Sequence, residues 1–243
     1  MNFSNILFLD IETVSQAETY NHLDEEWKEL WEIKCHLINR NREEETSESS
    51  YHRAAIYAEF GKIICISCGY LQGDGTDKKL IIRSYYGDDE RKILKDFADM
   101  LKGWSGNKEK FLCAHNGKEF DYPYICRRMI INGIGIPEIL KIAGKKPWDV
   151  RHLDTLELWK FGDYKSYTSL KLLAKVLGIP SPKDDIDGSM VNSVYWIEKD
   201  IERIVEYCQK DVITLAQVLL RFHCEPLIEK ENVSVKYVEQ NQY

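Results

Sequence analysis

The stretch Phe8–Thr13, FLDIET, sets two carboxylates into an apolar run near the start of the chain. Residues 5–13 read as a strand. Successive strand residues alternate faces, so Asp10 and Glu12 share one face, while Leu7, Leu9 and Ile11 share the other. Two buried neighbouring carboxylates repel each other and lose hydration, and each raises the other's pKa. A fold tolerates that readily when a cation sits between them. The bland reading of the pair alone is a strand end where both acids emerge into solvent. Which reading holds depends on whether further acids converge on the same place.

Working outward, residues 20–57 change character. The run DEEWKELWEIKCHLINRNREEETSESS is charged, with Trp27, Leu30, Trp31 and Ile38 at helical spacing, and reads as a helical insertion with a mobile polar tip near 43–50. KIICISCGYL (62–71) and KKLIIRSYY (78–86) are β-rich, and the turn-like QGDGTD between them makes a hairpin. Residues 88–104 form an amphipathic helix with Asp88 or Asp89 as its cap. A short strand over 110–116 precedes a helix from Tyr122 to Asn132, stopped by Gly133. RHLDTLEL (151–158) reads as another strand, helices fill most of 168–222, and 224–243 is a polar C-terminal tail. Strands come first and helices dominate the second half, which is an α/β plan of mixed sheet and flanking helices. Nothing marks a clean boundary, so 1–243 reads as one domain with an insertion at about 20–57.

Composition limits the function classes. The 243 residues carry 33 basic and 40 acidic side chains, a net charge of −7. That balance does not announce a nucleic-acid binder, but local patches and bound metal can dominate the field. No run approaches eighteen apolar residues, so no membrane span is expected, and the N-terminus lacks the look of a signal peptide. Seven cysteines, an odd number lying mostly in apolar runs, point to reduced thiols in a cytoplasmic protein. Cys65 and Cys68 have CxxC spacing, yet in a strand they face opposite ways, and they read as packed thiols rather than zinc ligands.

Two other places offer acids. AHNGKEFDYPYI (114–125) carries Asp121 at a strand-to-helix junction, with Asn116 and Phe120 close by. EYCQKDVITL (206–215) carries Tyr207 and Asp211 four residues apart on a long helix, hence on one face, beside the apolar Ile204, Val205, Cys208, Val212 and Leu215. Each acid alone is more ordinary than functional. Their order is the informative feature: Asp-x-Glu on a first strand, then Asn-x3-Phe-Asp, then Tyr-x3-Asp. This combination resembles the DEDD superfamily of 3′–5′ exonucleases, in the subgroup marked by tyrosine and called DEDDy. It is similar above all to the exonuclease domain of family B DNA polymerases and to stand-alone bacterial proteins like it. YAEFGKIICIS, AHNGKEFDYP and DIDGSMV carry that last likeness, which spans about residues 5–220.

The resemblance implies a ribonuclease H-like fold and two divalent ions, Mg²⁺ or Mn²⁺, which suit hard oxygen ligands. It implies Asp10 as the bridging ligand, Glu12 and Asp211 on one ion, Asp121 on the second, and Tyr207 as the group that orients the attacking water. Asn116, Phe120 and Thr13 would contact the terminal nucleotides. The expected reaction is hydrolysis at 3′ ends of single-stranded nucleic acid, DNA favoured, releasing nucleoside monophosphates. Two readings compete. One is a catalytically idle fold that binds nucleic acid or a partner protein, and the other is a metal-dependent endonuclease. His115 reads as a packing or hydrogen-bonding residue and Asp154 as structural, while Asp187 is a candidate for lining a substrate channel. Arg127, Arg128, Lys145, Lys146, Lys165 and Lys171 are candidates to track a strand, though each is ordinary as a solvated charge.

Overall fold

The computed structural model describes residues 2–38, 45–73, 75–106, 109–163, 167–180 and 185–236. Six strands form one mixed sheet in the order β5-β4-β1-β2-β3-β6. β1 (Ile6–Ser15) is the FLDIET strand, two residues longer at its end than the sequence implies. It pairs antiparallel with β2 (Gly61–Gln72), which pairs antiparallel with β3 (Lys79–Tyr86), as the hairpin reading expects. β4 (Phe111–Ala114) runs parallel to β1, and β5 (Leu153–Asp154) parallel to β4. Helices flank both faces, which makes this an α/β fold of the ribonuclease H-like kind, with a helical insertion after the first strand. Among the described residues, no helix is long and apolar enough to cross a membrane.

The alternation along β1 assigns the two faces. Leu7, Leu9 and Ile11 pack with α2 (Glu90–Ser105) and α3 (Asp121–Ile131), against Phe97, Leu101, Tyr122 and Met129. Ile6 and Phe8 pack on the other side against Val212, Leu215 and Leu219 of α7 (Ile201–Phe222). Asp10 and Glu12 continue the α7-facing row. At Glu12 the β1–β2 register slips: Glu12 opposes Cys65 and Thr13 opposes Ile63, leaving Ile64 as an extra residue in β2. Such a bulge twists the strand and re-aims its side chains. It explains why Ile63 and Ile66, three apart, pack on the same side.

Capping chemistry sets several helix starts. Of the two candidate caps of α2, Asp89 accepts from the Lys92 amide, while Asp88 takes the Tyr195 hydroxyl at 2.7 Å. The stretch read as a strand over 151–158 is corrected. Only Leu153–Asp154 is extended, and α4 (Thr155–Lys160) follows because the Asp154 carboxylate accepts from the Leu156 and Glu157 amides. α5 (Leu170–Val176) packs on α7, and α6 (Val191–Ser193) continues as a π-helical turn, Val194–Glu198.

In the insertion, α1 (Glu25–Ile38) buries Trp31 and Cys35 against Tyr51 and Phe60, while Leu30 is 44% exposed and belongs to the outer face. Residues 45–50 are not a loose tip. They form a hydrogen-bonded turn because the Trp31 indole N–H donates to the Ser47 carbonyl at 2.8 Å and Ser50 is fully buried. Positions 43 and 44 lie outside the described residues. The polar tail is corrected in part. β6 (Val233–Lys236) adds to β3 as a parallel edge strand, with Val233 and Val235 against the α7-side core. Residues 237–243 lie outside the described residues.

Candidate active site

β4 pairs with β1 only through Ile6–Phe8 and ends at Ala114. Beyond Phe8 that edge of β1 has no strand neighbour, and its amides need other acceptors. The chain turns away through His115–Lys118, with Asn116 in the left-handed region at φ 63°. Gly117 is required there, since a Cβ would lie 2.3 Å from the Ala114 Cβ and 3.2 Å from the Tyr122 ring. α3 then begins at Asp121, whose carboxylate accepts from the Ile11 amide and its own. The gap between the two parallel strands is thus filled by a carboxylate rather than a backbone.

From the opposite side α7 contributes its stripe. Cys208 faces β1, and its thiol donates to Asp10 Oδ2 at 3.4 Å. The donor atoms of Asp10, Glu12 and Cys208 all lie within 4.8 Å of one another, close enough to share a metal ion. Asp211, one turn on from Tyr207, acts electrostatically on both Asp10 and Glu12, and so does Asp121. Tyr207 and Asp211 share a side-chain hydrogen bond. Four carboxylates from three separate segments are thus within electrostatic reach of one another, with Asp10 and Glu12 close enough to share an ion.

Their electrostatics follow from that crowding. Burial, then the charges of Asp211 and Asp121, push Asp10 well above the carboxylate range, and the Cys208 hydrogen bond opposes them. Burial and then Asp10 and Asp211 push Glu12 up as well. Asp121 is raised to about 7, mainly by burial, with its backbone hydrogen bonds opposing and Asp154 adding. Burial, then the neighbouring acids, drive Tyr207 far above the ordinary phenol value, so it stays a neutral O–H donor. The largest influences on Asp10 and Glu12 are burial and other acids, not a lysine or arginine. A divalent cation would reverse this repulsion, and the carboxylate oxygens of Asp10 and Glu12 suit Mg²⁺ or Mn²⁺, the Cys208 sulfur beside them being a softer donor.

The remaining sequence candidates sit around this centre. Phe120 is half-buried, tilted on Tyr124 with centroids 5.3 Å apart, immediately before Asp121. Asn116 has its amide held by Asp154 Oδ1 at 2.9 Å. Thr13 lies past the bulge, and its hydroxyl donates to the Ala55 carbonyl at 2.8 Å, so its described contacts lead to the insertion and not to the carboxylates. His115 bridges Thr155 Oγ1 and the Thr168 carbonyl, a structural role. Asp154 gathers the amides of Asn116, Lys118, Leu156 and Glu157, and so orients the loop that precedes Asp121. Asp187 is exposed and caps its own turn at Ser189. Arg128 is buried against Glu90, which removes it from any strand-tracking role. Lys165 lies outside the described residues. Cys65 and Cys68 face opposite sides of the sheet, in separate clusters, and none of the seven cysteines is in a disulfide. Sequence reasoning missed the contact from Cys208. Its signal was the shared stripe of Ile204, Cys208, Val212 and Leu215, one residue from Tyr207.

Sheet, flanking helices and clustered acids define a ribonuclease H-like α/β protein with a carboxylate centre. The chain belongs to the family of predicted 3′–5′ exonucleases related to the exonuclease domain of PolB, whose sequence model matches residues 55–240. Asp121, Tyr207 and Asp211 fall inside that match, and Asp10 and Glu12 precede it. Among solved structures the chain is similar to the family B DNA polymerase of the hyperthermophilic archaeon Pyrobaculum calidifontis, with a TM-score of 0.52 at 14% identity. The match covers 88% of this chain and 24% of the polymerase, so the chain spans about a quarter of it. No curated protein matches.

Proposed function

We propose that this chain is a metal-dependent 3′–5′ exonuclease of the tyrosine-bearing DEDD type, acting on single-stranded ends with DNA favoured. The observation that carries the reading is the electrostatic coupling of the adjacent Asp10 and Glu12 to Asp121 and Asp211, with no basic residue prominent among the influences on the first two. A binding module gains nothing from four mutually repelling acids. Asp10, Glu12 and Asp211 would hold one divalent ion, and Asp10 with Asp121 a second. Such ions, when bound, neutralise charge on the scissile phosphodiester and acidify water.

The chain's own groups do the rest. Tyr207, fixed by its hydrogen bond to Asp211, orients the attacking water as a neutral phenol. The Cys208 thiol holds one oxygen of Asp10 in place. Asn116 and Phe120, beside Asp121, contact the terminal nucleotide, and the exposed part of the Phe120 ring offers a base a stacking surface worth about 1–3 kcal/mol. Nucleoside monophosphates are the products. The composition fits a cytoplasmic enzyme.

A 5′-labelled single-stranded oligonucleotide tests this with Mn²⁺, Mg²⁺ or EDTA, and with Asp211→Asn as control. The expected result is a ladder shortening from the 3′ end that needs both metal and Asp211. Cleavage of a 3′-blocked oligonucleotide would favour an endonuclease. No cleavage of DNA, RNA or recessed duplex ends would favour an idle fold.

A further inference from the structure

A groove of about 660 Å³ opens along the outer face of α3. Pro123, Arg127 and Ile130 line one wall at the spacing of a single helix face, and Ile136, Leu140 and Lys145 line the other. The inner face of α3 is committed to the core through Tyr122, Ile125 and Met129. The groove lies on the face of α3 turned away from Asp121, since residues two apart on a helix point apart, and its lining begins at Lys118 and Glu119, next to Phe120, which stands three residues before Pro123. From Pro123 to Ile130 the face runs about 10 Å at 1.5 Å per residue.

Charge marks this groove out. The whole chain is acidic, yet Lys118, Arg127, Lys141 and Lys145 line the groove against only Glu119 and Glu157. Lys118 pairs with Glu157 and Lys141 with Glu138, each at 2.7 Å. Arg127 and Lys145 make no ion pair with any described residue. Ile130 is 66% exposed, and Trp148, outside the groove wall but three residues beyond Lys145, is 76% exposed with Lys146 Nζ 5.2 Å from its ring. Unpaired cations beside apolar walls and an open aromatic ring suit a flexible polyanion that carries stackable rings.

We propose that this groove binds the single strand of nucleic acid just 5′ of the terminal nucleotides, with Arg127 and Lys145 on phosphates and Trp148 stacked on a base. The proposal takes its polarity from the exonuclease reading. The strand leaves the carboxylate centre over Phe120 and follows α3, so affinity rises with substrate length. A protein partner is disfavoured, because the two unpaired cations would then require acidic side chains placed as regularly as phosphates.

Anisotropy of labelled oligothymidylates in EDTA, across a salt series, tests it with a trimer and an oligomer of about twelve nucleotides. The wild type should bind the longer one more tightly. Arg127→Glu with Lys145→Glu should lose about tenfold or more on the long oligomer and nothing on the trimer. The salt slope should fall by about 1.4, for two phosphate contacts at about 0.7 each. Trp148→Ala should lose severalfold with the slope unchanged. Unchanged melting temperatures check folding. Equal binding of the long oligomer by wild type and double variant, or equal loss on both lengths, overturns the proposal. Cleavage of the trimer without length-dependent binding leaves the exonuclease reading standing and the groove refuted. Length- and charge-dependent binding without any cleavage does the reverse.

Discussion

Replacing Asp121 with asparagine should stabilise the metal-free protein, and the gain should grow with pH. Asp121 is 4% exposed, and its pKa is raised from 3.8 to about 7, chiefly by burial. The unfolded chain keeps the carboxylate near its ordinary value. Between the two values the folded protein holds a proton that the unfolded chain has released, so stability falls as pH rises through that window. Below about pH 4 both states are protonated and the penalty is absent, and above about 7 it is complete. Three units at about 1.36 kcal/mol each set a ceiling of about 4 kcal/mol. Asp10 titrates beside it and shares the repulsion, so about 2–4 kcal/mol is expected at pH 8. Asparagine keeps an acceptor for the Ile11 amide and carries no charge. Urea unfolding in EDTA at pH 4.5 and pH 8 reads the effect, with a gain of about 1 kcal/mol or less at the lower pH. Saturating Mn²⁺ should then favour the wild type by linkage. A variant no more stable than wild type at pH 8 in EDTA would refute the claim that this carboxylate is uncompensated.

Arg128→Met should cost about 3–5 kcal/mol in urea, since it strands Glu90, a buried acid held by two guanidinium nitrogens, and Glu90→Gln in the same chain should restore part of the loss. Asp154→Ala frees four amides, including that of Asn116; it should cost about 2–4 kcal/mol, more than a lost helix cap alone, and raise KM for oligonucleotides. Tyr207→Phe should lower kcat about 10²-fold and leave the Mn²⁺-induced rise in melting temperature intact. A lost rise would make Tyr207 a metal-site residue instead.

Most of the strand order in the first half was legible because two signals agree there. KIICISCGYL and KKLIIRSYY are rich in β-branched residues and carry turn chemistry between them, so local preference and tertiary pairing coincide. RHLDTLEL misled because its apolar spacing suits a short strand, while one carboxylate, Asp154, captures two amides and starts a helix. β6 was hidden for a different reason. Four residues with two valines say little until β3 presents an unpaired edge beside them.

By itself the sequence determined the chemical inventory: an Asp-x-Glu pair on one strand face, an acid at a helix start, and a tyrosine and an acid one turn apart. The two-residue period of a strand and the roughly 3.6-residue period of a helix fix such relations within an element, because backbone sterics set them locally. Only the tertiary structure decided that the three segments come within electrostatic reach of one another. It also decided that β4 ends early enough to leave a gap for Asp121, that Cys208 touches Asp10, and that Arg128 turns inward while Arg127 is exposed. Those outcomes depend on the packing of elements distant in the chain, and burial and mutual charge then set the pKa values that no local pattern contains.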